Sequence, residues 1–72
     1  MNDQDLGLRI KLHRTARRIQ QTDLAQRLGI SQPYLSLIEK GERPVDSELL
    51  GQIATALECR PEDLTNERRK IA

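Results

Sequence analysis

The residues of this chain that could do chemistry are few, and most lie in one short stretch. Gln32, Pro33, Ser36, Leu37 and Lys40 fall on one face of a helix spanning about residues 32–40. Gln32 and Ser36 can donate and accept hydrogen bonds, Lys40 adds a charge, and Pro33 and Leu37 offer apolar surface. Such a face, held by a glycine-containing turn, can fit a DNA major groove. A catalytic reading finds no comparable support. The single His13 has no Ser, Cys or carboxylate partner at a useful spacing, and no glycine-rich loop could cradle a phosphate. There is no second histidine and Cys59 is distant, so no metal-ligand pattern forms. Both side chains read as core residues, and no cofactor is implied.

The element that must position this face is a pair of helices between Gln21 and Gly41. Leu24, Ala25 and Leu28 make the apolar stripe of the first. Gly29 follows where a helix end needs a left-handed residue. Ser31 is a good N-cap for the second helix, and Pro33 lies in its first turn, where a missing N–H costs nothing. Ile30 and Leu35 can staple that turn, and Leu35 and Ile38 point inward. Two helices of this length cannot bury their own apolar faces, so the rest of the chain must supply the support.

The stretch resembles the helix-turn-helix of the phage repressor and Cro-type (XRE-like) family of DNA-binding domains. The matching residues are Gln21 at the start, Ala25 at the close helix contact, Gly29 at the turn, Leu35 and Ile38 in the core, and Glu39 with Gly41 at the end. The flanks follow the family's five-helix plan, so the resemblance covers roughly Leu6 to Leu64. It implies an all-α fold, a compact five-helix bundle whose second and third helices form the helix-turn-helix. It also implies a sequence-specific regulator of transcription, by family habit a repressor. Such a protein would bind a palindromic operator in double-stranded DNA as a homodimer.

By position and resemblance, Gln32, Pro33, Ser36 and Leu37 are the base contacts. A Gln amide can pair two ways with adenine, and Leu37 or Pro33 can meet a thymine methyl. Gln21, Tyr34, Lys40 and Arg43 are the phosphate contacts, with Gln21 at a helix N-terminus. The family often pairs the Glu39 carboxylate with a base on the first helix. Arg14 stands at that place, so a bridge locking the reading helix to its support is expected. The sequence departs from the family at His13, usually aliphatic, and at Arg18, often glycine. An antitoxin or the controller of a restriction system would use the same fold. The competing reading is a protein-interaction module that has lost DNA reading. A near-neutral charge, Pro33, Leu37, and the outward Leu8 and Leu12 favour it.

The remaining sequence sets the frame. Seventy-two residues make one small domain, with residues 1–5 a flexible arm, 6–65 the folded unit and 66–72 a basic tail. With no Phe or Trp and one Tyr, the core must be aliphatic. No run reaches membrane-spanning length, the N-terminal MNDQDLG is unlike a signal peptide, and a single Cys makes no internal disulfide. A cytoplasmic protein of a bacterium or phage, at the nucleoid, is expected. The net charge is only +1, but residues 1–30 hold six basic and three acidic side chains. Arg9, Lys11, Arg14, Arg17 and Arg18 form either a solvated face or a phosphate-facing edge.

In chain order, Asp5 is the expected N-cap of a first helix over about 6–18, with Leu6, Ile10 and His13 on the inward stripe and His13 partly buried and hydrogen-bonded. Leu8 and Leu12 form either a shelf for the tail residue Ile71 or a contact with a second subunit or another protein. Arg18 must either carry left-handed strain or mark a different link, and Gln20 is a poor cap for the second helix. Asp46 caps a fourth helix over about 47–57, and Pro61 opens a short fifth.

Overall fold

The computed structural model describes residues 3–65. The described residues form five helices and no strand: α1 (Asp3–Ala16), α2 (Gln21–Leu28), α3 (Gln32–Glu39), α4 (Ser47–Ala56) and α5 (Pro61–Thr65). The all-α expectation holds. None of these helices is long and apolar enough to cross a membrane. The expected basic tail over 66–72, with its Ile71, lies outside the described residues.

An aliphatic core ties the helices together. Ile10, Leu24, Leu35, Ile38, Ile53, Leu57 and Leu64 are completely or almost completely buried, with Ala25 and Ala54 at close contacts. Burial of each large side chain is worth about 1.5–3 kcal/mol, and α1, α2, α3, α4 and α5 each contribute at least one core residue. α3 packs on both α1 and α2, so the candidate reading helix rests on two supports. α4 and α5 close the bundle, α4 against α2 and α5 against α1.

α1 departs from its sequence reading in two ways. It begins at Asp3, so Asp3–Asp5 are helical rather than part of an arm. Asp5 thus sits in the first turn, not at the N-cap, and with Asp3 it favours the helix dipole there. The buried stripe is Leu6, Gly7, Ile10 and Arg14. His13 closes the stripe half-buried, with its Nδ1 3.3 Å from Arg17 Nη1, in keeping with a partly buried, hydrogen-bonded histidine. A periodicity argument counts apolar residues, and it gives no credit to an arginine whose partner lies on another helix.

The corners follow one pattern. At Arg18, Gly29, Gly41 and Glu58 the backbone is left-handed, with φ of 57°, 73°, 80° and 59°. The N–H after each closes a bond to the carbonyl five residues back: Ile19 to Arg14, Ile30 to Ala25, Glu42 to Leu37 and Cys59 to Ala54. These bonds satisfy carbonyls that a helix end leaves open. Gly29 and Gly41 meet the requirement freely, whereas Arg18 and Glu58 each carry a cost of about 1–2 kcal/mol. Helix starts are less uniform. Ser31 Oγ accepts from the Tyr34 N–H at 3.2 Å and Asp46 Oδ1 from the Leu49 N–H at 2.8 Å. Gln20 makes no side-chain cap on α2.

Candidate nucleic-acid interface

α3 is seated by close backbone approach before any side chain is considered. A Cβ on Gly7 of α1 would lie 2.3 Å from the Ile38 carbonyl oxygen and 2.7 Å from that of Glu39. One on Gly41 would lie 2.6 Å from the Gln4 Cα. The end of α3 thus lies directly on α1, at a distance no other residue type permits without a shift of backbone.

The buried Arg14–Glu39 pair pins the same contact. Arg14 Nε donates to Glu39 Oε2 at 2.7 Å and Nη2 to Oε1 at 3.1 Å, a two-pronged bond that leaves both residues less than one-tenth exposed. Arg14 Nη1 donates to the Ile19 carbonyl at 2.8 Å, tying the α1–α2 link to the pair. Gln21 at the start of α2 donates from Nε2 to Glu39 Oε1 at 3.0 Å, and Gln32 at the start of α3 donates from Nε2 to Gln21 Oε1 at 3.1 Å. A chain of directed hydrogen bonds therefore runs from a buried ion pair to an exposed amide. Gln32 keeps its own carbonyl oxygen and one amide hydrogen for an outside partner.

Along the outer face of α3, Gln32 and Pro33 are exposed and Ser36 and Leu37 half-buried. Tyr34 is half-buried, with its ring packed against the aliphatic core. Lys40 and Arg43 are exposed beyond the end of α3, with Glu42 between them. Leu8 and Leu12 stand on the far side of α1, both more than half exposed. Of the residues expected to meet bases and phosphates, Gln21 and Gln32 are joined by a hydrogen bond and Gln21, Ser36 and Lys40 line one depression.

Between α1, α2 and α3 lies a depression of about 210 Å³ lined by Lys11, Arg14, Gln21, Ser36, Glu39 and Lys40. Lys11 was legible in the sequence only as one of five basic residues. Its spacing of three from Arg14 was the signal that could have singled it out. A wider groove of about 710 Å³ runs between α2 and α4 and includes Leu28, Gly51 and Thr55, but it touches none of the α3 face. Cys59 is half-buried. Burial pushes its thiol pKa up, the Asp63 carboxylate adds to this, and the Arg17 guanidinium offsets part of it. Among the described residues no group of His, Cys, Asp and Glu could hold a metal ion.

A capped, glycine-cornered helix pair that presents α3 on a two-helix support defines a helix-turn-helix domain. The helix-turn-helix family model matches residues 10–64, and the chain belongs to that family, in its phage-repressor and Cro-type branch. It is 40% identical over 58 residues to an uncharacterised HTH-type transcriptional regulator of Mycobacterium tuberculosis, a match covering 81% of this chain and 41% of the relative. The chain thus spans about two-fifths of the length of the curated relatives it matches. Among solved structures it is similar to the DNA-binding domain of the P22 C2 repressor, at 33% identity and a TM-score of 0.84, covering 93% of this chain and 88% of that one. It is also similar to the restriction-modification controller protein C.AhdI of Aeromonas hydrophila, at 33% identity and a TM-score of 0.80, covering 85% and 92%. The fold recurs in a third of the hydroxypropylphosphonic acid epoxidase of S. wedmorenis, at 23% identity, a likeness of architecture alone.

Proposed function

We propose that this domain reads double-stranded DNA and regulates transcription, as a repressor that holds a palindromic operator by pairing two copies. The observation that carries the reading is the exposed Gln32 amide, held at the N-terminus of α3 by Gln21 and through it by the buried Glu39. An amide whose orientation is set before binding loses little side-chain entropy when it pairs with adenine, a contact worth about 1–3 kcal/mol of discrimination. Ser36, Leu37 and Pro33 continue the face, with Leu37 against a thymine methyl, so A·T pairs are preferred there. Gln21, Lys40 and Arg43 hold phosphates on either side. Tyr34, whose half-buried ring packs on the core, offers its hydroxyl to a phosphate. Neither a catalytic step nor a cofactor is part of this reading, and the site of action is the bacterial cytoplasm at the nucleoid.

The test is selection of bound duplexes from a random DNA pool at near-physiological salt. A palindrome should be enriched, with half-sites about one helical turn apart. Gln32→Ala should erase preference at one base pair, and Leu37→Ala should cost about 1 kcal/mol at the thymine and little elsewhere. Absence of any enriched motif overturns the reading in favour of a protein-interaction module. We place the pairing contact at Leu8 and Leu12, whose exposure is the feature that favours an apolar partner. Replacing both by Glu should halve the mass measured by light scattering on the bound or concentrated protein. An unchanged mass moves the pairing surface elsewhere.

A further inference from the structure

The depression between α1, α2 and α3 has a charge pattern that the family fold does not require. Its floor is the Arg14–Glu39 pair, in which each carboxylate oxygen receives an arginine N–H and Oε1 also receives Gln21 Nε2. The floor is therefore neutral overall and its acceptors are satisfied. Lys11 of α1 and Lys40 at the end of α3 line the same depression, and neither is in an ion pair among the described residues. Two lysines without an ion-pair partner among the described residues thus border a polar hollow of about 210 Å³, which Ser36 lines as well. Ser36 of the reading face and Gln21 of the phosphate-holding set both line this hollow, which puts it where a duplex that receives α3 would bring a backbone strand.

Resting on the DNA-reading function above, we propose that Lys11 and Lys40 bracket a single backbone phosphate in this hollow, making α1 a third DNA-contacting helix. The two ammonium groups approach from different helices, while Arg14 is held back by Glu39 and serves the floor. The bracket registers the strand against the buried pair that also orients Gln32, so strand position and base reading share one support.

The experiment uses the duplex selected for the whole chain. Binding is measured from about 0.05 to 1 M salt for the unmodified protein and for Lys11→Gln, Lys11→Arg and Arg60→Gln. One lost phosphate contact lowers the salt slope by about 0.9, which is about five-fold in affinity at 0.15 M. Lys11→Gln should show that loss with its base preference intact, Lys11→Arg should retain most of the slope, and Arg60→Gln, on the exposed start of α5, should match the unmodified protein. A second arm places a neutral methylphosphonate at each backbone position in turn. At one position the penalties of Lys11→Gln and of Lys40→Gln should both vanish. If the protein binds its duplex but Lys11→Gln leaves the slope unchanged, the bracket is wrong and the DNA reading stands. Penalties of equal size at every neutralised position also overturn it, because they mark diffuse charge and not a seat. If no duplex is bound at all, both proposals fall.

Discussion

Replacing Glu39 by Ala is the most demanding test of how α3 is held. Glu39 accepts three side-chain hydrogen bonds, two from Arg14 and one from Gln21, while only about 7% exposed. Its removal leaves Arg14, a residue only 8% exposed in the intact fold, with the Ile19 carbonyl as its one remaining protein acceptor. Breaking one side of a buried pair costs about 3–5 kcal/mol. A domain of this size has a total stability of roughly 4–11 kcal/mol at about 0.05–0.15 kcal/mol per residue, so Glu39→Ala should consume about a quarter of it or more. With a urea m-value near the low end, about 1 kcal/mol/M, the midpoint should fall by about 3 M or more. Urea titration followed by circular dichroism reads this directly, with sucrose added if the variant is unfolded in buffer. The double variant Arg14→Met with Glu39→Met removes both charges together and should recover most of the loss, because a buried pair is often close to neutral against apolar replacements. If Glu39→Ala costs less than about 1 kcal/mol, or the double variant is as unstable as the single, the pair is not what fixes α3 and the argument fails.

Other perturbations follow from the backbone and the thiol. Arg18→Gly relieves about 1–2 kcal/mol of left-handed cost but adds about 0.5–1 kcal/mol of unfolded-state freedom. The net gain of about 1 kcal/mol should raise Tm by about 4–8 °C, and a lower Tm would refute the strain. Gly7→Ala should destabilise by about 1–3 kcal/mol, since its Cβ meets the Ile38 and Glu39 backbone. Gly51→Ala, with nothing within 4 Å of the new Cβ, should stabilise by about 0.5–1 kcal/mol, and calorimetry of both variants checks the contrast. The raised Cys59 pKa means that the folded state favours the protonated thiol. Its stabilising effect is complete below the unfolded thiol pKa of about 8.5 and is lost as pH rises through the higher folded value. Alkylation by iodoacetamide at pH 8 should accordingly be slower in the folded protein than in urea, and equal rates would sink the claim.

Much of the architecture was legible because the signals were local. Gly29, the Ser31 cap, Pro33 and the Asp46 cap each act within one turn of their own position, so the sequence suffices to place them. What escaped was non-local. The Arg14–Glu39 bridge was expected only through the family resemblance, since helical periodicity alone treats Arg14 as one more surface charge and its partner lies twenty-five residues on. Gly7 was unremarkable in a helical pattern because its reason lies in the carbonyls of α3. The hydrogen bonds joining Gln21 to both Gln32 and Glu39 likewise depend on how three helix ends meet. For the candidate interface, residue types were readable, whereas the direction in which each amide faces was not.

That direction has a consequence for how such a domain can change. Glu39 only accepts, so Gln21 must turn its NH2 group inward and its oxygen outward. A donor at position 32 completes the relay. Gln, Asn, Lys or Arg there satisfies the relay, while Asp or Glu would set two acceptors against each other. The mutational vocabulary of an exposed residue is thus restricted by a carboxylate in the interior, through an intermediate on another helix. A lineage could therefore exchange one donor for another at residue 32 freely, whereas a carboxylate there would call for a compensating change at residue 21.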